Sequence, residues 1–126
     1  MCGLFGSVGH ALEHPEFRAS FDRLRHRGPD DTELVQPNGT VTLAFHRLAI
    51  MDPSHAGDQP FHSPDRSVWL MCNGEVYNYP ALHAQYADTY PFASHSDCEV
   101  ILPLYREFGI AETARRLDAE FALIIW

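Results

Sequence analysis

Positive charge is scarce in this sequence. Lys and Arg together number 9 against 17 Asp and Glu, a formal net charge of −8 with His neutral. That balance excludes the basic groove of a nucleic-acid binder and the cationic patch of a protein that lies on an anionic membrane. Long apolar runs are missing too: nothing approaches the roughly 18–20 residues needed to span a bilayer. Residues Met1 to His10 carry no Lys or Arg and no extended apolar stretch, so no secretory signal is expected. Cysteine is sparse and odd in number, at positions 2, 72 and 98. Three thiols do not make a disulfide framework, and the expectation is free thiols in a reducing, cytoplasmic compartment. No internal repeat, low-complexity segment or Gly-rich phosphate loop is found, and no Cys/His spacing has the pattern of a metal site. His10 and His14 are four apart, but Gly9 and Pro15 interrupt the helix that would align them, so no metal is expected.

What is present suits one folded domain. The chain has 126 residues, 45% hydrophobic and 21% charged, ordinary values for a globular protein of common domain size. Cys2 to Val8, interleaved with Gly3 and Gly6, reads as a short buried strand that other backbone approaches closely. Phe17, Phe21 and Leu24 share one helical face, which predicts a helix over 15–26 opened by Pro15. Alternating apolar residues on both sides of Asn38-Gly39 predict a hairpin. Residues 52–66, with Pro53, Gly57, Pro60 and Pro64, read as a surface loop. Val68 to Cys72 is a strand, Val76-Tyr77 resumes the extended pattern, and Pro80 opens a short helix to about Tyr86. Ser96 and Glu99 form a capping-box pattern before a helix over 97–108, which ends at Gly109 and in which Pro103 is expected to cause a kink or shift the start. A helix over about 111–118 and a strand over 120–126 follow. Hairpin strands with clustered helices predict an α+β fold with antiparallel sheets.

The chemistry begins at Cys2. If Met1 is removed, Cys2 carries a thiol and a free α-amine, a nucleophile with its own base. With an amine pKa near 7.7–8.0, roughly 10–20% is neutral at pH 7 and able to take the thiol proton. By position alone, Cys2 is better read as a small buried residue in a strand. Asn73-Gly74, taken alone, is a common turn dipeptide. Arg47 would pass as a surface charge at a strand end, and Asp97 as a helix-start residue that complements the dipole.

Five blocks occur in a telling order: Met1-Cys2-Gly3-Leu4-Phe5-Gly6, His26-Arg27-Gly28-Pro29-Asp30, His46-Arg47-Leu48-Ala49-Ile50-Met51-Asp52, Asn73-Gly74-Glu75-Val76-Tyr77-Asn78 and Ser96-Asp97-Cys98-Glu99-Val100. Together they resemble the class II glutamine amidotransferases, and within them the glutaminase domain of glutamine-hydrolysing asparagine synthetases. The resemblance implies a four-layer α/β/β/α N-terminal-nucleophile hydrolase sandwich with antiparallel sheets. It implies that Cys2 is the nucleophile and that Asn73 and Gly74 form the oxyanion site, where each donor contributes about 3–4 kcal/mol. Arg47 would grip the α-carboxylate of L-glutamine with its two-pronged guanidinium. Asp97 would receive the α-ammonium, while Leu48, Ile50, Met51 and Glu75 complete the pocket and Arg27 shapes the segment next to Cys2. No cofactor is implied for this chain. ATP and Mg2+ belong to a synthetase domain or subunit that would accept the ammonia, and the Ser-Gly-Gly-x-Asp-Ser loop by which that part binds ATP is absent from residues 1–126. The expectation is therefore a glutaminase domain over 1–126, incomplete at its C-terminus, whose relatives often pair as homodimers. A non-catalytic remnant, and a glutaminase serving another acceptor, are the alternatives.

Overall fold

The computed structural model describes residues 2–9 and 14–126. Two three-stranded antiparallel sheets dominate it. The first contains β1 (Gly3–Val8), β2 (Asp31–Asn38) and β3 (Val41–Arg47), in the order β1-β3-β2. The hairpin at Asn38-Gly39 joins β2 to β3, and the side chain of Asn38 caps the turn by accepting from the N–H groups of Thr40 (2.9 Å) and Val41 (3.0 Å). Strand β1 is an edge strand and only partly buried, not the enclosed strand its small residues suggest. The enclosed strand is β3, in which every residue is buried.

The second sheet contains β4 (Phe61–His62), β5 (Trp69–Val76) and β6 (Ala119–Ile125), in the order β4-β5-β6. The loop expected over 52–66 therefore contains the short strand β4, as well as a 3-10 turn at His55–Gly57. Strand β5 runs without interruption through Asn73-Gly74, opposite Ala122 and Phe121 of β6. The turn statistics of Asn-Gly are overridden here because β6 backbone flanks the pair. A Cβ on Gly74 would lie 2.1 Å from the Glu120 carbonyl oxygen and 2.7 Å from Phe121 Cα.

Alternation along the strands sorts side chains into three clusters. Val41, Leu43 and Phe45 of β3 pack against Met71 of β5, with Leu4, Trp69 and Ile124 around them, so the two sheets share one core. The opposite face of β3 offers Ala44 to Phe17 and Phe21 of α1 (Pro15–Asp22), and His46 stacks on Phe21 at 3.8 Å between ring centroids. The opposite face of β5, through Leu70, Cys72 and Val76, packs on Leu82 and Tyr86 of α2 (Tyr79–Tyr86) and on Ile101, Leu102 and Leu104 of α3 (Ile101–Arg116). Each fully buried Leu or Phe contributes about 1.5–3 kcal/mol to this association.

Of the two outcomes expected at Pro103, the shifted helix start is the one observed. The segment 97–100 is a 3-10 turn, and α3 begins at Ile101. Pro103 thus falls in the first turn of α3, where its missing N–H costs no hydrogen bond, and it produces no kink. The break comes instead at Gly109, whose φ of 70° suits glycine; the helix resumes beyond it to Arg116. The capping box is also only half formed. Ser96 Oγ accepts from Cys98 N–H at 3.3 Å, but the buried Glu99 carboxylate turns to Ala93 N–H, Ser94 N–H and Ser94 Oγ.

Candidate active site

Cys2 immediately precedes β1, between the ends of both sheets. Its Sγ accepts from Leu48 N–H at 3.3 Å and lies 3.7 Å from the Leu48 carbonyl oxygen. Its carbonyl accepts from Arg27 Nε at 2.9 Å, so Arg27 fixes the backbone of Cys2. Its nitrogen donates to Asn73 Oδ1 at 2.7 Å. That last bond orients the Asn73 amide. With the oxygen committed to the Cys2 nitrogen, the Nδ2 donors point elsewhere.

The edge of β5 facing away from β6 supplies a second donor. Trp69 exchanges both backbone hydrogen bonds with Trp126, and Tyr77 N–H donates to the Asp118 carbonyl. Antiparallel alternation then turns the N–H groups of Leu70, Cys72, Gly74 and Val76 to the other edge. Leu70 faces β4 there. Cys72 N–H donates to Gln59 Oε1 at 2.7 Å, and Val76 N–H to Asp97 Oδ2 at 2.7 Å. Between them, Gly74 N–H has no hydrogen-bonding partner among the described residues. Gly74, Asn73 and Cys2 all border one cavity of about 160 Å³.

Every residue expected to touch glutamine borders that cavity: Cys2, Arg47, Leu48, Ile50, Met51, Asn73, Gly74, Glu75 and Asp97. Arg27 stands behind Cys2 rather than in the cavity wall. Ile50, 72% exposed, and Met51 stand at the rim. Asp97 is 4% exposed, and its Oδ2 holds Val76. Arg47 is also buried, and here the geometry departs from a free two-pronged grip. Its Nη1 donates to the Ser54 carbonyl (2.7 Å) and to Asp58, and its Nη2 to the carbonyls of Asp52 and Met51. Arg47 thereby folds the loop over 51–58 against the cavity. Burial opposes ionisation of Asp58, but hydrogen bonds from His55 and Arg47 prevail and hold its carboxyl below the ordinary value. Asp52 is likewise held low, chiefly by Ser54 Oγ and then by His95 N–H, which ties the same loop to the segment before Asp97.

Several cavity residues escaped the sequence reading: Gln59, Cys72, Cys98 and Glu120. Gln59 sits in a Pro-rich loop with no periodicity to mark it. Hydrogen bonding with Cys72, together with burial, pushes the Cys98 thiol far up, which makes it a packed thiol rather than a nucleophile. Asp31, His55 and Asp58 bring ligand-type atoms within 4.8 Å of one another. Asp58 is already paired there with Arg47 and His55, so ion pairing accounts for the cluster. His10 lies outside the described residues, so the His10/His14 spacing has no structural description.

Comparison with known proteins points the same way. The chain matches the glutamine amidotransferase domain family over residues 1–126. It is 42% identical over 130 residues to asparagine synthetase B [glutamine-hydrolyzing] of Escherichia coli, covering 100% of this chain and 23% of that one. It is 45% identical over 129 residues to asparagine synthetase [glutamine-hydrolyzing] of Zea mays, covering 99% and 21%. Over 112 residues it is 38% identical to amidase chry2 of Gibberella zeae, covering 88% and 16%. The chain thus spans about a fifth of the length of these relatives.

Proposed function

This chain belongs to the glutamine amidotransferase domain family, and from that premise we propose that it hydrolyses the side-chain amide of L-glutamine to glutamate and ammonia, with Cys2 as nucleophile. The observation that carries this reading is that Cys2, Asn73 with its amide oriented by the Cys2 nitrogen, and Gly74 border one cavity. After loss of Met1, the free amine of Cys2 takes the thiol proton, and the thiolate attacks the amide carbon. The negative charge that forms on the amide oxygen meets Asn73 Nδ2 and Gly74 N–H, a side-chain and a backbone donor aimed at one point. Collapse, with the proton passing from the Cys2 amine to the leaving nitrogen, expels ammonia and leaves a glutamyl thioester on Cys2, which water then cleaves to glutamate and the free thiol.

In this reading, Asp97 receives the α-ammonium through the carboxylate oxygen not engaged with Val76. The α-carboxylate meets Arg47, replacing loop carbonyls as partners of its guanidinium. Leu48, Ile50, Met51 and Glu75 form the surrounding wall. Arg27 keeps Cys2 in place through its carbonyl. The succession of helix, sheet, sheet and helices, with the thiol between the sheets, supports assignment to the N-terminal-nucleophile hydrolase sandwich.

The names of the E. coli and maize relatives support a longer enzyme of asparagine synthesis, with this chain as its glutaminase part. Ammonia would pass to a synthetase domain or subunit, where ATP and Mg2+ serve the activation of aspartate; no site for either is proposed in these residues. No helix among the described residues is long and apolar enough to cross a membrane, in keeping with a cytoplasmic enzyme.

The test is covalent. A diazoketone or chloroketone analogue of glutamine should add one equivalent to Cys2, read by peptide mass, and glutamine should protect against it. Cys2→Ala should release no ammonia from glutamine while still binding it. Turnover retained by Cys2→Ala would remove the nucleophile assignment, and absence of any adduct would favour the non-catalytic remnant.

A further inference from the structure

We infer that Gln59 is a positioning residue for the oxyanion site: its side-chain amide acts as a missing strand partner for β5 and fixes the backbone from which Asn73 and Gly74 project. The inference rests on the glutaminase reading above. Strand β4 pairs with β5 only at Phe61↔Leu70 and His62↔Trp69, so regular pairing on that edge stops before Cys72. There the Gln59 amide performs both halves of a backbone pairing. Its Nε2 donates to the Cys72 carbonyl at 3.1 Å, and its Oε1 accepts from Cys72 N–H at 2.7 Å. Gln59 is 7% exposed and borders the cavity itself.

Its place along the edge gives these bonds their meaning. The next outward N–H after Cys72 is that of Gly74, the open donor, and the next after that is held by Asp97. Side chains from two loops therefore grip β5 on both sides of the one unpartnered position. A backbone strand extended along this edge would have taken the Gly74 N–H into its ladder and removed it from the cavity. A side chain satisfies Cys72 and reaches no further. Gln59 directly follows the loop over 51–58 that Arg47 folds inward, and Leu48, shortly before that loop, contacts Cys2 Sγ. The segment from Leu48 to Gln59 thus spans from the proposed nucleophile to the strand that bears the oxyanion donors.

Gln59→Glu and Gln59→Leu are the variants to measure. Displacing oxyanion donors weakens transition-state stabilisation and leaves ground-state binding nearly intact. Both variants should therefore lower kcat about tenfold or more while KM for glutamine stays within about twofold. Alkylation of Cys2 by iodoacetamide, which needs no oxyanion donor, should proceed at the wild-type rate. The pH profile separates positioning from mere folding. A protonated carboxyl offers one O–H donor and one carbonyl acceptor, the same pattern as the glutamine amide; a carboxylate offers acceptors only and opposes the Cys72 carbonyl. The deficit of Gln59→Glu relative to wild type should shrink as pH falls below about 6, where a buried carboxyl regains its proton. The Gln59→Leu deficit should stay constant. Wild-type kcat in both variants, a loss expressed in KM alone, or a Gln59→Glu deficit that ignores pH would each overturn the inference while leaving the glutaminase reading intact. A wild-type chain that neither hydrolyses glutamine nor takes up the analogue would overturn that reading and this inference with it.

Discussion

Strand β5 has two edges, and they are held by different means. Toward β6, backbone pairs with backbone in an unbroken register from Leu70↔Ile125 to Val76↔Ala119. Toward the cavity, backbone pairing ends after two residues of β4, and the Gln59 amide and the Asp97 carboxylate take over. The first edge leaves nothing for a ligand, because every inward group is consumed. The second leaves one N–H exposed at a defined place. A sheet can thus be closed on one side for stability and punctuated on the other for chemistry.

The largest effect should come from the closed edge. Gly74→Ala would put a methyl group against β6 backbone, which cannot swing aside as a side-chain tip can. A loss of about 3 kcal/mol is expected, seen as a clear drop in Tm. An unchanged Tm would mean that β6 is not the rigid wall described here. On the punctuated edge the order reverses, and activity should suffer more than stability. Asp97→Asn keeps an acceptor for Val76 N–H but removes the charge, so KM for glutamine should rise about tenfold with a smaller change in kcat and little change in Tm. An unchanged KM would take Asp97 out of amine recognition and leave it only its backbone bond. The smallest effect should come from the loop that carries Gln59. The neighbouring Asp58 raises the pKa of His55 above 6.5. A raised folded-state pKa stabilises fully below about pH 6.5 and less as pH climbs through the folded value. Tm of the wild type should therefore decline slightly over that range, and His55→Ala should flatten the decline. His55 is almost fully exposed, so only a small change is expected. A wild-type profile identical to that of His55→Ala would show that this exposed pair contributes nothing to the loop.

The same contrast explains what could be read from the sequence. The helix at Phe17 and Phe21, the hairpin at Asn38-Gly39 and the strand β6 announce themselves through local periodicity or turn chemistry. Gly109 announced its break in the same way. Asn73-Gly74 did not, because its conformation is set by β6, more than forty residues later in the chain. Pro103 was legible as a kink or a shifted start without a way to choose between them, and Glu99 as a residue type but not as a role. A shift in helix start made the proline harmless, and buried donors at Ala93 and Ser94 drew the carboxylate away from the cap. The cavity residues followed from the order of five short blocks, each weak alone. Gln59 lay beyond such reasoning, since a side chain standing in for a strand leaves no pattern in the sequence around it.

The hydrogen bond from the Cys2 nitrogen to Asn73 has a practical side. Under the proposed mechanism the Cys2 amine must be free, and any residue left ahead of it would keep that nitrogen an amide, able to donate to Asn73 but unable to take the thiol proton. Affinity tags, fluorophores and surface tethers meant to spare the proposed activity therefore do not belong directly ahead of Cys2. One Edman cycle gives a direct check: glutaminase activity should track the fraction of chains that begin with cysteine.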